Sequence, residues 1–374
     1  MLERTGQLGR GDGRSFHAPK DYKMIRSLEI SNFRGFKQVA LSNLPRFNVL
    51  IGESGSGKTA FLEALWIQCG ISPEIYFRMR FFRGMAEQQV QLGGDRLSYE
   101  AFFNDLFYDP SLDIGALIQI IDSELGSRHL NIAYGTPAQV TMNAVQMQPG
   151  ANPVARPLHF RWKVGDTEYD VPLRIANNQM VVENPPPQYP GVYFASSFVS
   201  SARETAERLS ILSIRGEKEK IAETIKKIYR NIVDISSESV SGQQQIWASV
   251  KGVKRKIPLA VVSSGINKFA SLLLGICLNP GGALLVDEID NGFYFLDYES
   301  IFGTLVEFCD TYDVQLFAAT HNWEFLKAVA KVMESRLRDL SMLKTQFQDG
   351  ECTVRQIEGV SSVAAIEEEI DIRK

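Results

Sequence analysis

Three short stretches carry residue types that can act together on phosphate. The first, GESGSGKT, runs through Gly52, Glu53, Ser54, Gly55, Ser56, Gly57, Lys58 and Thr59 into Ala60. Its glycines free backbone N–H groups to wrap phosphate oxygens, Lys58 reaches the outer phosphates, and the Thr59 hydroxyl suits a magnesium ion. Far downstream, GGALLVDEID takes a run of apolar residues, Ala283 to Val286, into the paired acids Asp287 and Glu288. A buried parallel strand delivers the residues after it to the C-terminal edge of its sheet, where α/β folds bind their ligands. There Asp287 is expected to hold magnesium and Glu288 to orient and polarise an attacking water. The third stretch, VQLFAATHNWEF, is an apolar strand ending at Thr320, His321 and Asn322. An imidazole in that place can donate a hydrogen bond to phosphate near neutral pH, although a lone His after a strand is also an ordinary capped turn. Its position one helix and one strand beyond the acid pair favours the switch role.

These stretches need strands that end together and a helix directly after the glycines. FNVLIG before GESGSGKT reads as a short buried strand, and KTAFLEALWIQCG places Phe61, Leu62, Leu65 and Trp66 at helical spacing. From Met24 the segment IRSLEISNFRGFKQVAL alternates apolar and polar residues as strands do. Residues 71–190 differ in texture and are expected to form an inserted α/β lobe, with DIGALIQIIDSEL as a helix and the turn GDT closing a hairpin of HFRWKV and TEYDVPLRI. The Pro-rich NPPPQYPG closes that lobe, since proline lacks a donor and restrains its neighbour. The expected division is therefore a tail over residues 1–23, a core from 24–70 and 191–374, and the lobe between.

The chain has 374 residues, 22% of them charged, and a formal net charge of -4, so no bulk basicity points to nucleic acid. Two local basic groups stand out: Arg78, Arg80 and Arg83 among Tyr76, Phe77, Phe81 and Phe82, and Lys251, Lys254, Arg255 and Lys256. Arginines beside aromatics can stack bases and follow a nucleic-acid backbone, while solvated faces over a buried aromatic edge are the commoner case. The four cysteines, Cys69, Cys277, Cys309 and Cys352, are far apart without metal-ligand spacing and read as reduced core thiols. No stretch approaches the roughly 20 apolar residues of a bilayer span, and the opening residues have no apolar signal core, so a cytoplasmic protein is expected.

In order along the chain, IRSLEISNFRGF, GESGSGKT, VVSSGINKFASLLLGI, LLVDEIDNG and AATHNWEF resemble the ABC-type AAA-family ATPases related to RecF, SMC and OLD proteins. Within that group the sequence resembles the compact ATPases of bacterial anti-phage systems, such as the PARIS ATPase subunit and the Gabija-like and retron-associated modules. No sustained heptad repeat marks the long coiled-coil arm of a true SMC protein. The resemblance implies a P-loop NTPase with an ABC-type ATPase head, a mixed central sheet flanked by helices, and ATP with Mg²⁺ as ligands. It further implies that Ser263, Ser264 and Gly265 form a signature motif. Ser263 and Gly265 then touch the γ-phosphate held by a second copy, making a homodimer or higher oligomer part of the site. Two positions depart from the family pattern: Ile266 stands at the usual glutamine, and Tyr294 at a His that commonly comes after the acid pair.

Gln88, Gln89 and Gln91 lie in the region of a glutamine loop, though glutamine is equally ordinary on an exposed loop. No acidic cluster resembles the Toprim domain of OLD proteins, so the reading assigns any nuclease or toxin to a partner effector. DNA binding in the manner of RecF, or a nucleotide-bound scaffold with little turnover, are the alternatives.

Overall fold

The computed structural model describes residues 24–85, 96–111, 114–135, 138–139, 154–176, 179–196 and 201–373. The expected tail over residues 1–23 and the three glutamines Gln88, Gln89 and Gln91 lie outside the described residues.

Two six-stranded sheets organise the chain. One is mixed, in the order Gly191–Phe194, Ala283–Val286, Gln315–Ala319, Phe47–Ile51, Leu340–Gln348, Glu351–Glu358; the first five strands run parallel and the last turns back antiparallel. The inner strands are apolar on both faces, as expected where helices cover both sides. Phe47, Val49 and Ile51 face one core while Leu50 faces the other, and Leu284 and Val286 oppose Ala283 and Leu285 in the same way.

The second sheet is wholly antiparallel, in the order Phe36–Leu41, Ile25–Phe33, Ala116–Asp122, Gly126–Tyr134, Leu158–Val164, Thr167–Pro172. The strands from residues 116–172 thus extend the sheet that Ile25–Phe33 opens. The expected hairpin is present, with Val164 opposite Thr167 and Gly165 at φ 57° in the turn. The expected helix over DIGALIQIIDSEL is instead the strand Ala116–Asp122. Its buried residues alternate (Ala116, Ile118, Ile120, Asp122) with more exposed ones, a period of two that the apolar bulk of the segment hides from a helical reading. Gly115 at φ 70° breaks any helix before it, and a Cβ there would stand 2.2 Å from the Ile132 carbonyl oxygen.

Helix Lys58–Cys69 lies between the two sheets, and every residue from Ala60 to Cys69 is buried. Phe61, Leu62 and Leu65 pack with Ile118, Ile120 and Leu130 of the antiparallel sheet and with Leu285 and Phe317 of the mixed one. Its two buried polar side chains are bonded, Glu63 to Arg34 and Arg83 and Gln68 to the Ile118 and Arg128 carbonyls. Arg128 caps its end, donating to the Gln68 carbonyl at 2.8 Å and the Gly70 carbonyl at 2.7 Å.

On the other face of the mixed sheet, helices Ala202–Ile214, Lys218–Ile228 and Ser264–Leu278 pack with the hairpin Ile232–Val240/Gln243–Val250. The architecture is a mixed α/β sheet flanked by helices, without a long coiled coil among the described residues. All four cysteine thiols are buried and free of disulfides. Among the described residues no helix is long and apolar enough to cross a membrane.

Candidate active site

The register of the parallel strands brings their ends together. Leu50 pairs with Ala319, and Val286 with both Phe194 and Ala318, so the residues after Ile51, Val286 and Ala319 emerge along one edge. The glycine loop, the acid pair and His321 are therefore neighbours although the loop is separated from the other two by more than two hundred positions in sequence. The direct link is a hydrogen bond from the Thr59 hydroxyl to the Asp287 carboxylate at 2.7 Å.

The loop rests on the antiparallel edge hairpin. Gly52, at φ 143°, could not carry a side chain, because a Cβ there would meet the Thr345 carbonyl oxygen at 2.3 Å. Gly57, at φ 101°, faces Cys352 and Phe36 in the same way, and a Cβ on it would stand 2.9 Å from the Cys352 sulfur. Ser56 and Thr345 share a buried hydroxyl hydrogen bond at 2.5 Å. Lys58 folds over the loop and donates to the carbonyls of Gly52 (2.8 Å) and Glu53 (2.7 Å). Burial lowers its pKa, opposed by the carboxylates of Asp287 and Glu288.

Asp287 is almost wholly buried, and burial raises its pKa; the Thr59 hydrogen bond opposes the shift and Glu288 adds to it. A buried carboxylate that favours its proton is short of positive charge, and paired with a hydroxyl it offers the hard oxygen ligands that suit magnesium. Two protein oxygens would leave an ion at this place to be completed by phosphate and water.

Glu288 has a left-handed backbone, φ 45°, an uncommon state for a side chain of its size and one that clusters at functional sites. Three contacts hold it there. Ile289 N–H donates to the Ala319 carbonyl at 2.9 Å, Asn291 N–H donates to the Glu288 carbonyl at 3.0 Å, and the Lys268 ammonium donates to the Glu288 and Asn291 carbonyls at 2.6 and 3.1 Å. Lys268 is buried, which pushes its pKa down to about 8 despite Asp290, Glu288 and Asp287 nearby. Sequence reasoning missed Lys268; the available signal was a lone charge inside the apolar helix SGINKFASLLLGICL.

That helix begins at Ser264, with Ser263 as its N-cap accepting from Ile266 N–H at 3.4 Å. Gly265 packs against the acid turn, where a Cβ would lie 2.2 Å from the Gly292 carbonyl oxygen. The structure thus sets Ser263, Ser264 and Gly265 against the turn behind Glu288. Beside them Tyr294, Phe295 and Leu296 are consecutive and all more than half exposed.

His321 is exposed on a loop fixed from both sides. Thr320 donates to Asp290 at 2.6 Å, and Asn322 caps helix Trp323–Met333 by accepting from Glu324 and Phe325 N–H at 3.0 and 3.2 Å. The capped turn and the placement of an imidazole at the sheet edge coexist in one loop.

Of the first basic group, Arg80 pairs with Asp105 at 3.3 Å and stacks on Phe102, and Arg83 makes a two-pronged bond to buried Glu63 at 2.8 and 2.7 Å. Arg78 lies over the Trp66 ring and is exposed. In the second group Lys256 pairs with Glu238 at 2.6 Å, while Lys251, Lys254 and Arg255 are exposed on a turn.

Comparison with known proteins finds similarity around the phosphate loop and, at low identity, over most of the chain. Residues 24–89 match the family model described as an AAA ATPase domain. An "ATP/GTP phosphatase" of Helicobacter pylori is 23% identical over 345 residues, covering 84% of this chain and 89% of that protein. The "DNA replication and repair protein RecF" of Idiomarina loihiensis is 49% identical over 43 residues, 12% of each chain, so the match spans a small part of that relative. Among solved structures, an SMC head bound to the C-winged helix domain of ScpA is similar with a TM-score of 0.47 and 14% identity, covering 89% of this chain and 97% of that one. The match to the AAA ATPase model includes the phosphate loop Gly52–Thr59.

Proposed function

We propose that this protein binds ATP with Mg²⁺ along the edge of the mixed sheet, hydrolyses it, and uses the bound triphosphate to pair with a second copy. The observation that carries the reading is the 2.7 Å hydrogen bond from Thr59 to Asp287, which joins the phosphate loop to the acid pair. Lys58 exchanges its two loop carbonyls for the outer phosphates, and the loop N–H groups hold the phosphate chain. Thr59 and Asp287 hold magnesium, which when bound neutralises charge on the phosphates. Glu288 orients and polarises the attacking water, and His321 donates a hydrogen bond to the γ-phosphate or that water.

Ser263 and Gly265 cap the γ-phosphate of the second copy, with the positive end of helix Ser264–Leu278 behind them. Moving an open and closed pair from 1:99 to 99:1 requires about 5.5 kcal/mol of preference for the closed form. The role inferred from the resemblance is a switch whose closed form controls a partner effector, a nuclease or toxin, in anti-phage defence. The exposed turn of Lys251, Lys254 and Arg255 favours, as a second reading, direct action on DNA. ATP is taken as substrate; the Helicobacter relative's name makes GTP the control nucleotide.

The test is Glu288→Gln. It retains Mg²⁺-ATP binding, loses about 10²- to 10⁴-fold in turnover, and accumulates the ATP-bound pair, read by light scattering on a sizing column. Unchanged turnover refutes the reading. Stimulation of the wild type by duplex or gapped DNA alone favours the DNA role over the effector switch.

A further inference from the structure

We propose that Arg373 is a positioning residue for His321, clasping the backbone of the His321 loop so that the imidazole is presented at the sheet edge in one orientation. Its Nη1 donates to the His321 carbonyl at 2.6 Å, across 52 positions of sequence. The guanidinium is itself held. Asp371 accepts from Nε at 2.7 Å and from Nη2 at 2.9 Å, and the plane lies 5.4 Å over the Trp323 ring. Between the two charged residues Ile372 is buried in the larger core, so the segment is anchored rather than draped.

The loop on either side of His321 is tied down. Thr320 is tied to the buried Asp290, and its hydroxyl accepts from Asn322 N–H at 3.0 Å. Asn322 is tied to Tyr298 at 3.0 Å. The peptide between His321 and Asn322 is thus held from both ends, its N–H by the Thr320 hydroxyl and its carbonyl by Arg373. A planar donor fork stacked on an indole fixes direction as well as distance, which an ammonium does not. The clasp thus holds the backbone from which the imidazole projects, on a loop joined to the acid turn through Asp290.

This inference rests on the reading that His321 acts on the γ-phosphate, and the experiment separates the two. ATP turnover is measured for His321→Ala, Arg373→Ala and the double variant, with nucleotide affinity measured separately. Arg373→Ala is expected to lower kcat about tenfold to a hundredfold, the penalty of misplacing a reacting group by about 1 Å, with KM and ATP affinity unchanged. The double variant is expected to match His321→Ala. Arg373→Lys, which keeps the cation and the fold but not the fork, is expected to recover only part of the loss and serves if the alanine variant fails to fold. If His321→Ala turns over at the wild-type rate, the role of His321 falls, and this proposal with it. If His321→Ala is impaired while Arg373→Ala and Arg373→Lys are not, or if the two losses multiply, Arg373 anchors the chain without positioning His321.

Discussion

Lys268→Met tests whether the strained backbone of Glu288 is held in place by a buried cation. The substitution preserves the length and apolar stem of the side chain and removes the donor to the Glu288 and Asn291 carbonyls, 2.6 and 3.1 Å away. Hydrogen bonds from a charged donor contribute about 1.5–3 kcal/mol each. Against this stands the cost of keeping the lysine charged where it is buried. The fall in its pKa from 10.5 to about 8 corresponds to about 3 kcal/mol at neutral pH. The two effects partly offset, so the variant is expected to unfold within about 3 kcal/mol of the wild type in denaturant. Glu288, released from φ 45°, loses its set position, and kcat is expected to fall at least about tenfold while ATP still binds.

The pH dependence has a definite sign. Below pH 8 the lysine is protonated both folded and unfolded, and the cost is fully present. Between pH 8 and 10.5 the unfolded chain holds the proton that the folded chain has released, so wild-type stability rises relative to Lys268→Met. Melting curves of the two proteins across that window provide the readout, alongside single-turnover hydrolysis. A variant that hydrolyses ATP at the wild-type rate, or a stability difference that is flat or falls as pH rises, refutes the reasoning.

Gly52→Ala is expected to abolish nucleotide binding measured by calorimetry and to lower the melting temperature, since its Cβ meets the Thr345 carbonyl oxygen at 2.3 Å and φ is 143°. Phe295→Asp, on the exposed Tyr294–Leu296 run beside the signature residues, is expected to weaken ATP-dependent pairing at least about tenfold. Single-site ATP affinity should stay unchanged, as checked by sedimentation with the Glu288→Gln background.

The parts of the site legible in sequence were those whose chemistry sits in a contiguous run. Gly52 to Thr59 carries its own pattern, and apolar strands ending at Asp287 and at His321 mark a sheet edge by strand order alone. Sequence could not supply the support that comes from elsewhere in the chain. Thr345 and Cys352 under the glycine loop and Arg373 behind His321 are brought in by tertiary packing with no local signature, and for Lys268 under Glu288 the lone charge in an apolar helix does not say what it meets. The misread element, Ala116–Asp122, failed for a related reason: Leu117, Gln119 and Ile121 face outward on a strand whose apolar outer residues blur its alternation. Tertiary pairing with Ile25–Phe33 decided between two locally plausible states.

The helix behind the glycine loop has no face turned to water, and this restricts how the molecule can change. The same side chains that seat the phosphate loop also glue one sheet to the other. A substitution on that helix must satisfy two surfaces at once, and its first turn cannot shift toward a nucleotide without dragging both layers along. Helix Ser264–Leu278, on the far side of the mixed sheet, is buried almost as completely and is bound in the same way.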